Sequence, residues 1–221
     1  MRSVSQTPGM SRCFCLWTSW RIRKRFIIYT QRTAGGWCRP DHEDMALLEN
    51  ERVCLRALEP EDLELLYRWE NDSELWEVGN TLAPYSRYIL REYIAGSDRS
   101  IYETRQLRLM VVERATGASA GLVDLFDFEP RPNRAACGIL LDSCCQGRGL
   151  ATEALRVLMD YAYTFLRLRQ LYAHIPVANE PSKRLFMRCG FVESGVLRDW
   201  IRTRRGYSDV WVFQSFNDNM D

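Results

Sequence analysis

The sequence has few of the residues that build a metal or redox centre. It contains only two histidines, and its eight cysteines include no C-x-x-C pair. We therefore predict no metal site, and the irregular cysteine spacing does not suggest a secreted disulfide framework. A reducing, cytoplasmic environment fits this composition best. The neighbours Cys144 and Cys145 could form a redox pair, but small apolar packing is the interpretation that we favour.

Strong net charge and long apolar runs are also lacking. The formal net charge is +1 at pH 7, which argues against a nucleic-acid partner. No apolar run approaches the roughly 20 residues that cross a bilayer, so we predict no membrane partner. The length of 221 residues is enough for one substantial hydrophobic core.

The charge is unevenly distributed along the chain. Residues 1–44 contain eight Arg and Lys against three Asp and Glu, and an organellar transit peptide matches this composition only loosely. We expect residues 1–44 to be a basic, disordered extension or the result of a start codon assigned too early. Residues 45–221 are expected to form the folded domain.

The hydrophobic pattern predicts a single α/β domain. Its order is a strand, two short helices, three strands, a long helix, a strand, a helix and a final pair of strands. The predicted long helix covers residues 148–167, and Asn179 is the expected N-cap of the next one. This order is typical of helices packed around a mixed sheet.

Acidic residues interrupt the predicted strand at residues 120–128. Strict alternation places Asp124 on one face with Leu122, Phe126 and Phe128, and Asp127 on the other face with Val123, Leu125 and Glu129. The two aspartates either face solvent or pair with Arg134, or they line a cleft that binds a cation.

A glycine-bearing turn at residues 142–154, D-S-C-C-Q-G-R-G-L-A-T-E-A, joins a predicted strand to the long helix. The first N–H groups of a helix have no internal partner and can bind an anion, and Gly147 and Gly149 allow close approach to the backbone. The turn matches neither G-x-G-x-x-G nor G-x-x-x-x-G-K-[ST]. From these residues alone, it either caps the helix or binds phosphate.

Two motifs resemble the GCN5-related N-acetyltransferase (GNAT) superfamily. Gln146, Gly149 and Ala151 match Q-x-x-G-x-A, which resembles the acyl-CoA diphosphate loop of that superfamily. Residues 179–191, N-E-P-S-K-R-L-F-M-R-C-G-F, resemble the segment in which an Asn begins a helix beside the CoA arm. The resemblance implies a GNAT-type α/β fold, with a mixed, mostly antiparallel sheet and helices on both faces. It also implies acetyl-CoA as the co-substrate.

Within the superfamily, residues 120–129 resemble the acidic strand of polyamine acetyltransferases, with Asp124 and Asp127 at the acidic positions. The chain also resembles ribosomal-protein N-terminal acetyltransferases. The implied acceptor is a small-molecule amine, and we favour a polyamine or diamine. A protein N-terminal amine and a non-catalytic acyl-CoA-binding module are the alternatives, and a homo-oligomer is left open.

The resemblance also implies roles for individual residues. Asp124 and Asp127 would accept the amine proton through water, and the N–H of Leu141 would bind the oxyanion. The expected acyl-CoA contacts are Leu140, Leu141, Gln146, Gly147, Arg148, Gly149, Leu150, Ala151, Asn179, Lys183 and Phe186. The expected acceptor contacts are Trp76, Glu77, Asp124, Asp127 and Glu129.

Phe186 departs from the superfamily pattern. It stands where most of these enzymes have a Tyr that protonates the departing thiolate. A thiol pKa near about 8.5 makes CoA a tolerable leaving group unaided, and Tyr172 or water could act instead. If the missing acid limits the rate, Phe186→Tyr should raise turnover.

Overall fold

The structure, a computed structural model, describes residues 47–76 and 81–218. The predictions for residues 1–44 and for Glu77 lie outside these ranges. The described chain forms a seven-stranded sheet in the order β1-β2-β3-β4-β5-β7-β6. The strands are β1 (Val53–Arg56), β2 (Leu107–Glu113), β3 (Ala118–Glu129), β4 (Arg134–Leu141), β5 (Gln170–Pro176), β6 (Val192–Thr203) and β7 (Gly206–Phe216).

The described helices follow the predicted order, with one short addition. They are α1 (Leu63–Glu70), α2 (Arg87–Ala95), α3 (Ile101–Thr104), α4 (Leu150–Asp160) and α5 (Glu180–Arg188). The sequence analysis missed the four residues of α3. The long helix predicted over residues 148–167 is divided, because α4 changes to a π-helical turn at Tyr161–Phe165.

Apolar side chains pack on both faces of the sheet. On one face, Val123 and Leu125 of β3 pack in a cluster with Leu155 of α4 and Phe186 of α5. On the other face, Leu122 packs in a cluster with residues of α1 and α2, including Leu66, Trp69 and Leu90. Each fully buried leucine stabilises the fold by about 1.5–3 kcal/mol. Helices therefore cover both faces, which confirms the predicted fold class.

The strict alternation predicted for β3 is wrong beyond Phe126. The register with β4 shifts between Phe126 and Glu129, and Asp127 has a φ of 49°. Because a bulge inserts an extra residue, it reverses the faces of the residues that follow. Phe128 is consequently buried in the cluster of Val123 and Leu125, not on the face of Leu122.

Strands β4 and β5 form the one parallel pair among the strand pairs of the described residues, and their register runs only from Arg134 to Ala136 on β4. The rest of β4 continues without β5, which leaves a gap in the sheet. The N–H of Asp142 donates to the carbonyl of Ala120 at 2.9 Å. Because successive residues direct their N–H groups to opposite sides of a strand, the N–H groups of Leu141 and Ile139 face the gap.

Candidate active site

A cleft of about 770 Å³ passes through the gap between β4 and β5. Gly138, Ile139, Leu140 and Leu141 all line it. Successive residues of a strand face opposite sides of the sheet, so a cleft lined by all four reaches both sides. The N–H of Leu141 faces this opening, where the sequence analysis expected an oxyanion site.

The glycine turn forms one end of the cleft. Gln146, Gly147, Gly149 and Ala151 line it, and the φ angles of the two glycines are 72° and 81°. Gly149 directly precedes α4, so the unpaired N–H groups of the first helical turn lie at this end. The side chain of Leu150 is buried in the core, which leaves only its main chain available to a ligand.

The Arg148 side chain is held by an ion pair, and its contact with the diphosphate stays a prediction. The Arg148 guanidinium pairs with the carboxylate of Glu113, whose side chain is only 10% exposed. Arg52 Nη2 donates to the carbonyl of Arg148 at 2.7 Å. Two guanidinium groups and one carboxylate thus lie behind the turn, with one net positive charge that favours an anion.

Helix α5 borders the same end of the cleft, as expected. The side chain of Asn179 accepts a hydrogen bond from the N–H of Ser182 at 3.1 Å, which confirms it as the N-cap. Asn179, Arg184 and Arg188 line the cleft. The sequence analysis missed both arginines, although their i, i+4 spacing places them on one helix face.

Lys183 is not among the residues that line the cleft, and its contact with the ligand stays a prediction. Its Nζ lies 3.8 Å from the centroid of the Trp211 ring and 3.5 Å from Glu193 Oε2. One residue along a helix rotates the side chain by about 100°, so Lys183 and Arg184 point in different directions.

Phe186 is likewise not among the residues that line the cleft. Its ring is 4% exposed and packs edge-to-face on Phe191 with a centroid distance of 5.0 Å. The ring is therefore packed in the core, and its contact with acyl-CoA stays a prediction. Tyr172, the suggested substitute acid, is also outside the lining, and burial raises its pKa.

The opposite end of the cleft carries three charged side chains. Asp124 lines this end, as expected, together with Glu70 and Arg108, which the sequence analysis did not select. Arg108 donates to both carboxylates. Burial lowers the pKa of Arg108, but the negative charges beside it outweigh burial and raise that pKa above its usual value. The three groups together have one net negative charge.

Two indole rings border the acidic end. Trp69 and Trp76 both line the cleft, and Trp76 Nε1 donates to the carbonyl of Glu70 at 3.0 Å. Trp76 thus lines the cleft, and its contact with the acceptor stays a prediction. The inward spacing of Glu70, one turn after Leu66, was a signal that could have selected it.

Asp127 and Glu129 are not among the residues that line the cleft, and their contact with the acceptor stays a prediction. Asp127 lies in the bulge of β3 and is exposed. Glu129 accepts from Arg134 Nη2 at 2.7 Å. Arg134 therefore pairs with Glu129 and not with either aspartate, and the partner of Asp124 is Arg108.

Comparison with known proteins agrees with this geometry. Residues 52–192 match the model of the acetyltransferase (GNAT) domain, so the chain belongs to the GNAT family. It is a GNAT-family N-acetyltransferase that uses acetyl-CoA as co-substrate, as the two motifs predicted. The open glycine turn, the start of α4 and the lining arginines fit a ligand that carries phosphates.

Two curated relatives and one solved structure are particularly similar. The chain is 30% identical over 169 residues to a spermidine N(1)-acetyltransferase of Vibrio cholerae, covering 75% of this chain and 95% of that protein. It is 29% identical to the putative ribosomal N-acetyltransferase YdaF of Bacillus subtilis, covering 73% and 89%. A crystal structure of the Vibrio cholerae spermidine N-acetyltransferase with CoA and spermine aligns with a TM-score of 0.68 at 28% identity, covering 76% and 97%.

In residues 47–76 and 81–218, no helix is both long and apolar enough to cross a membrane.

Proposed function

We propose that this enzyme transfers the acetyl group of acetyl-CoA to a primary amine of a polyamine or diamine. The observation that carries the proposal is the polarity of the cleft. A phosphate-binding turn borders one end, and a group of charges with one net negative charge borders the other. The similarity to the Vibrio cholerae spermidine N(1)-acetyltransferase supports the same acceptor class.

The glycine turn and helix α5 would together hold acetyl-CoA. The main-chain N–H groups from Gly147 to Ala151 would bind the diphosphate, while Arg184 and Arg188 add positive charge beside it. Acetyl-CoA supplies an activated acetyl thioester. The N–H of Leu141, which faces the gap, would donate to the oxygen that becomes negative during transfer.

The acidic end would hold the amine. An alkylammonium ion is attracted by the net negative charge of Glu70, Asp124 and Arg108, and the faces of Trp69 and Trp76 add cation–π attraction of about 0.5–2 kcal/mol. Such an amine has a pKa near about 10.4, so it must lose a proton before it can attack. A diamine or polyamine has at least one further ammonium group that prefers an acidic surface.

A protein N-terminal amine is the second candidate acceptor. The similarity to the putative ribosomal N-acetyltransferase of Bacillus subtilis favours it. An N-terminal amine has a pKa near about 7.7–8.0, so it needs less help to lose its proton.

The homo-oligomer remains a prediction, which light scattering of the full chain would test.

The experiment is a comparison of acceptors under identical conditions. The full chain and acetyl-CoA are mixed with spermidine, putrescine, butylamine or a short peptide with a free N-terminus. Butylamine is the matched control because it has the carbon chain of putrescine without the second ammonium group. We expect kcat/KM to be highest for spermidine or putrescine. A preference for the peptide would replace our proposal with the N-terminal alternative.

A further inference from the structure

Arg108 holds two carboxylates at the acidic end of the cleft, and it holds them differently. It donates to Asp124 through two nitrogens, from Nε to Oδ1 at 2.6 Å and from Nη2 to Oδ2 at 3.2 Å. It donates to Glu70 through Nη1 alone, and only Oε1 of Glu70 accepts. Both oxygens of Asp124 are therefore occupied, while Oε2 of Glu70 has no hydrogen-bond partner in the described part of the chain.

Asp124 is thus engaged through both of its oxygens. A bidentate pair with a guanidinium holds the carboxylate in a fixed geometry. Arg108 and Asp124 are also direct cross-strand partners in the register of β2 and β3. Two rigid strands therefore fix this pair from both sides.

Glu70 lies where an acceptor amine can reach it. It is the last residue of α1, its side chain is 21% exposed, and it lines the cleft. Trp69 and Trp76 line the cleft beside it. The hydrogen bond from Arg108 orients the carboxylate, and its Oε2 accepts no hydrogen bond from the described residues.

We propose that Glu70, and not Asp124, accepts the proton of the acceptor ammonium, and that the Arg108–Asp124 pair positions Glu70. The proposal rests on the proposed acetylation of an alkylamine. The ammonium gives one proton to Glu70, and the free amine attacks the acetyl carbonyl carbon. The new N–C bond forms as the C–S bond breaks, the second amine proton passes to the sulfur as the thiol leaves, and Glu70 returns its proton to solvent.

Glu70→Gln is the principal test. The amide retains an oxygen that can accept from Arg108, but it cannot take a proton. With acetyl-CoA and spermidine, we expect kcat to fall about 100-fold or more, the range typical of a lost general base. The loss should shrink as pH rises toward the amine pKa, because more acceptor is then already the free base. Affinity for acetyl-CoA should be unchanged.

Three further variants separate a catalytic from a structural effect. Glu70→Asp should recover part of the rate with the wild-type pH profile. Asp124→Asn should raise KM for the amine and lower kcat less than Glu70→Gln, again with the wild-type pH profile. Glu92→Gln, an exposed acid on α2, should behave as wild type. Thermal melting and acetyl-CoA binding of each variant show whether it is folded.

The outcomes distinguish this inference from the proposed function. If wild type acetylates spermidine and Glu70→Gln keeps its rate and pH profile, the role of Glu70 is overturned and the polyamine acceptor stands. If wild type prefers the peptide, the polyamine acceptor is overturned. The same variants assayed with the peptide then test Glu70, with a large, pH-dependent loss supporting its role. Absence of transfer to every amine overturns both.

Discussion

At the residue scale, the positive φ of Gly149 determines the shape of the glycine turn, which we expect to bind the diphosphate. An added Cβ would lie 3.1 Å from Arg52 Nη1, and a side chain at this φ costs about 1–2 kcal/mol. We expect Gly149→Ala to weaken acetyl-CoA binding about tenfold, which equals about 1.4 kcal/mol. Isothermal titration with acetyl-CoA measures this change.

Gly117 provides the matched control for Gly149. It has a φ of 69°, lies in the turn between β2 and β3, and would have no atom within 4 Å of an added Cβ. Gly117→Ala should cost similar stability and leave acetyl-CoA affinity unchanged. Equal affinity losses in the two variants would mean that general destabilisation, and not the turn, causes the effect.

The partner of Asp124 shows why single residues of the site were hard to predict. The acid in mid-strand was visible in the sequence, but Arg108 lies sixteen residues earlier, and its pairing depends on the register of two strands. The turn at residues 114–117 joins the two strands, but a register shift between Val111 and Val112 separates that turn from the pair. Glu70 was more accessible to prediction, since its spacing after Leu66 places it on the inward face of α1.

At the element scale, α5 depends on its N-cap. Asn179 binds the N–H of Ser182 and also lines the cleft. We expect Asn179→Ala to lower the free energy of unfolding by about 1 kcal/mol and to raise KM for acetyl-CoA. Ser86→Ala, which removes the N-cap of α2, should cost similar stability without the KM change. Urea unfolding and initial rates measure the two effects, and an equal KM change in both variants would contradict the account.

Asp142 connects α1 to the turn that precedes α4. Its carboxylate accepts from Trp69 Nε1 at 3.0 Å and also pairs with Arg68. The hydrogen bond from Trp69, with smaller contributions from Cys144 and Arg68, holds the pKa of Asp142 below its usual value. The folded-state pKa of Asp142 is lower than the unfolded one. Its contribution to the free energy of unfolding is therefore fully present above the unfolded pKa and is lost as pH falls through the folded value.

Asp142→Asn tests this connection through the pH dependence of the free energy of unfolding. Between mildly acidic and strongly acidic pH, the free energy of unfolding should fall more in the wild type than in the variant. Asp98→Asn, an exposed acid on the surface, should keep the wild-type slope. Chemical denaturation at a series of pH values gives the slopes, and parallel curves for wild type and Asp142→Asn would refute the link.

Elements were more predictable than the directions of their side chains. The order of strands and helices was predictable because the apolar runs are bounded by turns. The bulge at Asp127 was not predictable. The sequence alternation continues past it unchanged, but the extra residue reverses the face of the sheet on which the later side chains lie. The same limit applies to α5. Lys183 and Arg184 are adjacent in the sequence, but their side chains point in different directions.

At the scale of the whole molecule, the described residues form a cleft with two chemically different ends. The order of strands and helices, which the sequence predicted, places the gap between β4 and β5 beside the glycine turn. The family resemblance predicted that the glycine-turn end of the cleft binds acetyl-CoA. The acceptor end depends on charges from α1, β2 and β3 that meet only in the folded chain.

The most direct test of the account is the identity of the acetylated product. The full chain is incubated with acetyl-CoA and spermidine, and mass spectrometry of the amine is combined with measurement of the free CoA thiol. We predict spermidine with one added acetyl group and one thiol released for each product molecule. Thiol release that does not depend on spermidine, with the amine unmodified, would contradict the account.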